Sequence, residues 1–298
     1  MLCDMNYAIR YLTNYDYDAD VVDNLNALRV KPAANGHQRC DDFAVRLTPE
    51  VRLHRHADYF GTEVVEFEVS SPHRHLTIDV RARVSTKSPE PPPHATWDAL
   101  REPGYRESGG EFLLQTDDAP DHPALRDLLA TVRAASTPLD MVLLTSELIP
   151  ERFEYRKGAT YVDSKLEHLL ELGAGVCQDF VHLGLCLLRH HGIAARYVSG
   201  YLFAGGSARS EESVEVDTHA WLEALLPAAD GGEPAWVGAD PTNRALAEQS
   251  HVKIGHGRHY PDVAPIKGVY RGGANAKLDA SVTMTRLERA DPASTARS

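Results

Sequence analysis

Residues Cys177 to His191 narrow the possible architectures of this chain more than any other segment. Phe180, Val181, Leu183, Leu185, Leu187 and Leu188 cover most of the circumference of the helix they predict, and a helix that is apolar on nearly all sides has to be buried centrally. Ser164 to about Leu172 predicts a shorter helix before it, Gly173-Ala174-Gly175 predicts a turn between the two, and Gly192 predicts a clean stop. A central helix needs a layer to lie on, and the segments that follow predict strands: Ala195 to Phe203, Ser213 to Leu226, Pro234 to Asp240, Val252 to Gly255 and Ala280 to Leu287.

The start of the chain has a different texture. Tyr7 to Tyr15, Phe43 to Leu47, Thr62 to Val69 and Leu76 to Val84 are short runs rich in β-branched and aromatic residues, separated by Pro, Gly and Asn clusters, and they predict a small antiparallel β domain. Ser88-Pro89-Glu90-Pro91-Pro92-Pro93 then interrupts the chain, because consecutive prolines lack donors and hold the backbone extended. Pro123 to Ala134 and Leu139 to Ile149 predict packing helices, the second opening on Ser136-Thr137-Pro138. The expected organisation is an N-terminal β domain over 1–90, a helical lead-in over 91–150, a core of helices and strands over 151–288 and a disordered tail over 289–298. A chain of 298 residues with 43% hydrophobic and 25% charged residues has the composition of a soluble globular protein with a sizeable core, and the order of its elements makes the expected fold class α+β.

The chain has four cysteines, Cys3, Cys40, Cys177 and Cys186, with no CxxC pair, so reduced thiols are expected rather than a disulfide framework. Their surroundings separate them. Cys177 opens the apolar helix just after a Gly-Ala-Gly turn, where the N-H groups of the first turn lack carbonyl partners and favour an anion. A thiol there is a candidate nucleophile, and the same N-H groups could hold an oxyanion. Cys186 sits mid-helix among leucines as a small core residue; Cys3 and Cys40 lie in the β domain and take no role.

Along Val214 to Leu226, His219 and Trp221 fall on the side opposite Ala220, Leu222 and Ala224. Pro227 to Pro234 has the composition of a turn, and Ala235 to Asp240 returns as the next strand. Pairing Leu226 with Ala235 makes His219 and Asp240 diagonal neighbours on one face, about 7 to 8 Å apart at their β-carbons. A carboxylate there can orient an imidazole and stabilise its protonated form. Cys177, His219 and Asp240 thus form a candidate set of nucleophile, base and orienting residue, with Asp217 as the rival orienting carboxylate.

Gly175-Val176-Cys177-Gln178-Asp179-Phe180, Gly192 to Tyr201, Thr218-His219-Ala220-Trp221 and Gly238-Ala239-Asp240-Pro241-Thr242, in this order, resemble the motifs of the transglutaminase-like superfamily. The likeness is to its bacterial branch with an N-terminal β domain, and it extends to Phe153-Glu154-Tyr155 and to Gly257-Arg258-His259-Tyr260. It implies a papain-like fold and attack of a cysteine thiolate on an amide carbonyl through an acyl-enzyme thioester. The implied partner is a peptide or protein substrate. Hydrolysis by water is the expected outcome, because no motif marks an amine-binding site. Acyl transfer to an amine acceptor and a non-catalytic binding module with a vestigial triad are the alternatives. The backbone N-H of Cys177 and the side chain of Tyr155 are candidate oxyanion donors.

Among fifteen histidines, the clusters His54-Arg55-His56, His73-Arg74-His75 and His190-His191 match neither HExxH nor a zinc spacing. No metal and no cofactor are expected. The net charge of −12 and the lack of a basic stripe argue against a nucleic-acid partner. Without a basic segment leading into an apolar one at the start, or any run of 18 apolar residues, a cytoplasmic location away from membranes is expected.

Overall fold

A computed structural model describes residues 4–115, 119–161, 164–205, 212–228 and 232–288. Cys3, part of the turn after Leu226 and the tail from residue 289 lie outside the described residues. In chain order the elements are strands β1 (Met5–Leu28), β2 (Gln38–Thr48), β3 (His54–Ala57), β4 (Glu63–Val69) and β5 (His73–Thr86), then helices α1 (Pro103–Gly109), α2 (Pro123–Val132) and α3 (Pro138–Arg152). Short strand β6 (Glu154–Tyr155), helix α4 (Leu166–Leu172), strand β7 (Ala174–Gly175) and helix α5 (Cys177–His190) follow. The chain continues through β8 (Ala195–Leu202), β9 (Ser213–Val216), β10 (Thr218–Leu226), β11 (Ala235–Asp240), β12 (Ala245–Leu246) and β13 (His251–Gly257). It ends with α6 (Tyr260–Val263), β14 (Ile266–Arg271) and β15 (Ala276–Leu287).

The α+β fold is built on two sheets. The five-stranded antiparallel sheet runs β12-β11-β10-β8-β13, and α5 lies on one of its faces. Phe180, Val181, Leu183, Leu187 and Leu188 are fully buried there with Leu222, Ala224 and the helices α2 and α3, so the central position expected of this helix is observed. Tyr201, Phe203, Val252 and Ile254, in or just after β8 and in β13, belong to a second core, which is otherwise built from the N-terminal sheet. One sheet thus contributes to two cores, and β8 is buried along most of its length.

The sheet topology departs from the expected domain boundary. β1 extends well beyond Tyr15 and serves two neighbourhoods, pairing with β5 and β15 in its first part and with β4 and β14 in its last. β9, β14 and β15, all from the C-terminal half, complete the N-terminal sheet, so residues 151–288 are not a self-contained core. The segment Ser213 to Leu226, expected as one strand, is two: β9 pairs with β15, and β10 joins the other sheet after a break at Asp217. Period-2 alternation runs through such a break unchanged, so the sequence pattern does not reveal it. The expected Gly173-Ala174-Gly175 turn is also part strand. Gly173 adopts a left-handed backbone (φ 69°) at the end of α4, and β7 then pairs in parallel with β6.

Two features of β8 hold the middle of the sheet. Arg196 on β8 and Lys253 on β13 both place a nitrogen 2.6 Å from Glu223 on β10, tying three strands together by buried charge. Burial alone would raise the Glu223 carboxyl pKa, but Lys253 and Arg196 bring it down to about 2. Gly200 faces His219 on one side and Lys253 on the other. A β-carbon on Gly200 would come within 2.3 Å of the Val252 carbonyl and 2.5 Å of the Trp221 ring. The missing side chain lets Trp221 from β10 pass over β8 and meet His251 from β13 edge-on, with ring centroids 5.2 Å apart.

Gly200→Ala is expected to destabilise the protein by about 1 to 3 kcal/mol, the usual cost of forcing a methyl group into a filled space. A urea denaturation midpoint unchanged from that of the wild type would show that β8 and Trp221 can part without cost.

Candidate active site

Three backbone decisions place Cys177. Gly175 lets Asp179 and Leu169 close in, since a β-carbon there would lie 2.8 Å from both Asp179 Oδ2 and Leu169 Cδ1. Val176 is extended and caps the helix, and Asp179 Oδ2 reaches back to accept its N-H at 2.8 Å as well as the Thr160 hydroxyl. This is the acidic half of a capping box, and its negative charge in the first turn suits the positive end of the helix dipole. Cys177 follows as the first helical residue, half-buried at the edge of the α5 core.

β10 and β11 supply the other two groups. Their observed register pairs Leu226 with Ala235 and Leu222 with Ala239, as expected, and the diagonal offset brings His219 Nε2 to 2.7 Å from Asp240 Oδ2. The Cys177 thiol lies close enough to His219 to raise its pKa. With Nε2 engaged by Asp240, Nδ1 is the ring nitrogen left to the sulfur. The structure therefore brings together the three residues singled out in the sequence. Asp217, the rival carboxylate, instead forms an exposed ion pair with Lys157.

Asp240 is fully buried, and its charge is met by a ring of donors. Oδ1 accepts the N-H groups of Thr242 and Asn243 in an Asx-type turn, while Oδ2 accepts from His219, from Asn243 Nδ2 at 2.7 Å and from His251 Nε2 at 3.2 Å. Burial pushes the Asp240 pKa up, but the hydrogen bonds from His219 and His251 outweigh it and hold the carboxyl well below the usual carboxylate range. For His219 burial acts the other way and lowers the pKa, yet the hydrogen bond to Asp240 and the nearby Cys177 thiol push it up to about 9. Tyr155 sits at the rim, edge-on to Phe180, and is pushed up to about 12 by burial and by the charges at Cys177, Asp217 and Asp240. Its phenol is thus protonated, and able to donate, throughout the neutral range.

Sequence reasoning did not find Asn243 and His251. Asn243 reaches Asp240 through a turn whose side-chain contacts have no periodic signature, and His251 arrives from β13, which pairs with β8 out of sequence order. The histidine clusters noted in the sequence are engaged elsewhere: His73 with Asn24, His75 with Asp16, and His191 with the Leu129 carbonyl.

A thiol at the head of a buried helix, packed on an antiparallel sheet that presents an imidazole and a carboxylate in series, defines a papain-like cysteine-enzyme architecture. The chain belongs to the transglutaminase-like superfamily. Residues 126–241 match the family of that description, and residues 7–85 match the bacterial transglutaminase-like N-terminal region. The uncharacterized protein ML0607 of Mycobacterium leprae is 34% identical over 276 residues, covering 92% of this chain and 96% of that one. The uncharacterized protein Rv2569c of Mycobacterium tuberculosis is 32% identical over 294 residues, covering 95% and 93%. The crystal structure of a "Putative Cysteine Protease" from Cytophaga hutchinsonii shares the fold with a TM-score of 0.76 at 22% identity, covering 97% of this chain and 93% of that one. Among the described residues, no helix is long and apolar enough to cross a membrane.

The raised pKa of His219 predicts how stability changes with pH. A group whose pKa rises on folding, here from about 6.5 to about 9, stabilises the fold fully below the lower value, and that contribution is lost as pH climbs through the higher one. The stability difference between wild type and His219→Gln is therefore expected to be largest below about pH 6.5, on the order of 3 kcal/mol, and to shrink towards pH 9. Urea titrations at several pH values measure it. A difference independent of pH would mean that His219 is not held as an imidazolium.

Proposed function

We propose that this protein hydrolyses amide or peptide bonds through a cysteine acyl-enzyme, with Cys177 as nucleophile, His219 as acid and base, and Asp240 as the orienting carboxylate. The observation that carries the reading is the placement of one imidazole between a buried carboxylate at 2.7 Å and the thiol that begins α5. An imidazole with this affinity for protons takes the thiol proton and keeps it until the leaving group needs it.

The sulfur attacks the substrate carbonyl and forms a C–S bond, and the carbonyl oxygen becomes an oxyanion beside the N-H of Cys177 at the positive end of the helix. Tyr155 is the proposed second donor. The tetrahedral intermediate collapses as the C–N bond breaks, and His219 gives its proton to the departing amine. Water then attacks the thioester, its proton passes to His219, and the acid leaves as the thiol is re-formed. Asp240 keeps its charge throughout: it holds the ring orientation and stabilises the imidazolium. Water is the proposed acceptor because no motif in the sequence, and no residue around the site among the described residues, marks an amine pocket. The proposed substrate is a peptide or protein.

Incubation with a peptide library followed by intact-protein mass spectrometry is expected to show an acyl adduct on Cys177 in the wild type and none in Cys177→Ser, with turnover reduced at least a thousandfold. A Cys177→Ser protein with full activity would exclude the nucleophile. A labelled amine appearing in the product would replace hydrolysis with acyl transfer.

A further inference from the structure

Asp240 carries a second histidine on the same oxygen as the first. His251, the first residue of β13, is almost fully enclosed, with its side chain 6% exposed. Its Nε2 lies 3.2 Å from Asp240 Oδ2, and its ring is set edge-on to Trp221. Two imidazoles and a carboxylate whose ligating atoms lie within 4.8 Å of one another have the composition of a metal-binding set.

The hydrogen bonds identify a different role. The backbone N-H of Glu248 points at His251 Nδ1 from 3.1 Å, and a backbone N-H can only donate. Nδ1 must therefore offer its lone pair, which puts the proton of the neutral ring on Nε2. A nitrogen carrying a proton cannot ligate a metal. Metal-bound histidines show the opposite arrangement, in which the nitrogen facing away from the metal is the donor. Nε2-H of His251 has one acceptor in front of it, the Asp240 carboxylate.

We propose that His251 is a positioning residue for the catalytic relay: by donating its Nε2-H to Asp240 Oδ2, it shares and orients the carboxylate charge on which His219 depends. The proposal rests on the reading of Cys177 as nucleophile and adds a fourth group to the chain of thiol, imidazole and carboxylate. Without the His251 N-H, Oδ2 is left with His219 and Asn243, and a buried oxygen loses one of its donors. The path is set by the fold: Gly200 leaves the gap above β8 through which His251 and Trp221 meet.

Alkylation of Cys177 by iodoacetamide provides a test that needs no substrate. In His251→Phe, which keeps a ring against Trp221 but has no donor, the alkylation rate is expected to fall at least about tenfold, the lower end of what one hydrogen bond to a charged group is worth. His251→Gln, whose amide can both donate to Asp240 and accept from Glu248, is expected to stay within about twofold of wild type. Thermal melts of all variants control for folding, and His251→Leu replaces the Phe variant should that fail to fold. Equal rates in the Phe, Gln and wild-type proteins would overturn the proposal, as would a Gln variant that melts normally but reacts as slowly as the Phe variant. Zn2+ that slows alkylation in the wild type and not in His251→Gln would make the pair a metal set and also overturn it. A wild-type Cys177 no more reactive than Cys40 would instead refute the nucleophile, and with it the role of His251.

Discussion

A carboxylate sealed from water governs the structure around it. Asp240 is 0% exposed, and an ionised carboxylate in such a place is tolerable only when every lone pair is met. The chain meets that demand from four directions: the turn at Thr242 and Asn243, the Asn243 amide, His219 on β10 and His251 on β13. Each donor fixes something else in turn. The turn ends β11, His219 is aimed at the thiol, and His251 draws the start of β13 across β8. The charge is costly by itself and stabilising only as the centre of this network, which explains why so many separate elements converge on it.

The second constraint is geometric. The five-stranded sheet contributes to two cores, one with α5 and one with the N-terminal sheet, so it cannot shift in one without disturbing the other. The ion network of Arg196, Glu223 and Lys253 ties β8, β10 and β13 in register on the same face of the sheet as His219. Catalytic geometry depends on this kind of support, because a group misplaced by an ångström loses much of its effect. α5 presses on one face of the sheet with leucines and phenylalanine, and its first residue is therefore delivered to the sheet edge with little freedom.

Much of this is legible in the sequence. The burial of α5 followed from an apolar surface that no single neighbour could cover, and the register of β10 and β11 followed from the length and composition of the turn between them. That register places His219 and Asp240 as diagonal neighbours, and the observed pairing of Leu226 with Ala235 agrees. Other features left no local trace. The break between β9 and β10 keeps the alternation of side chains, so one strand and two strands in different sheets read alike. The return of β14 and β15 to β1 joins residues more than two hundred positions apart, and no short-range pattern encodes such a partner.

The sequence alone settled the local chemistry: which helix is buried, which thiol begins it, and which imidazole and carboxylate share a face of one hairpin. These depend on periodicity and on chain neighbours, which a linear string records. Tertiary structure alone decided which of two carboxylates serves His219, which backbone N-H sets the tautomer of His251, and that a glycine in a third strand leaves the space for both rings. Those outcomes depend on distances between strands that are not consecutive, and such distances exist only once both cores have formed around the sheet they share.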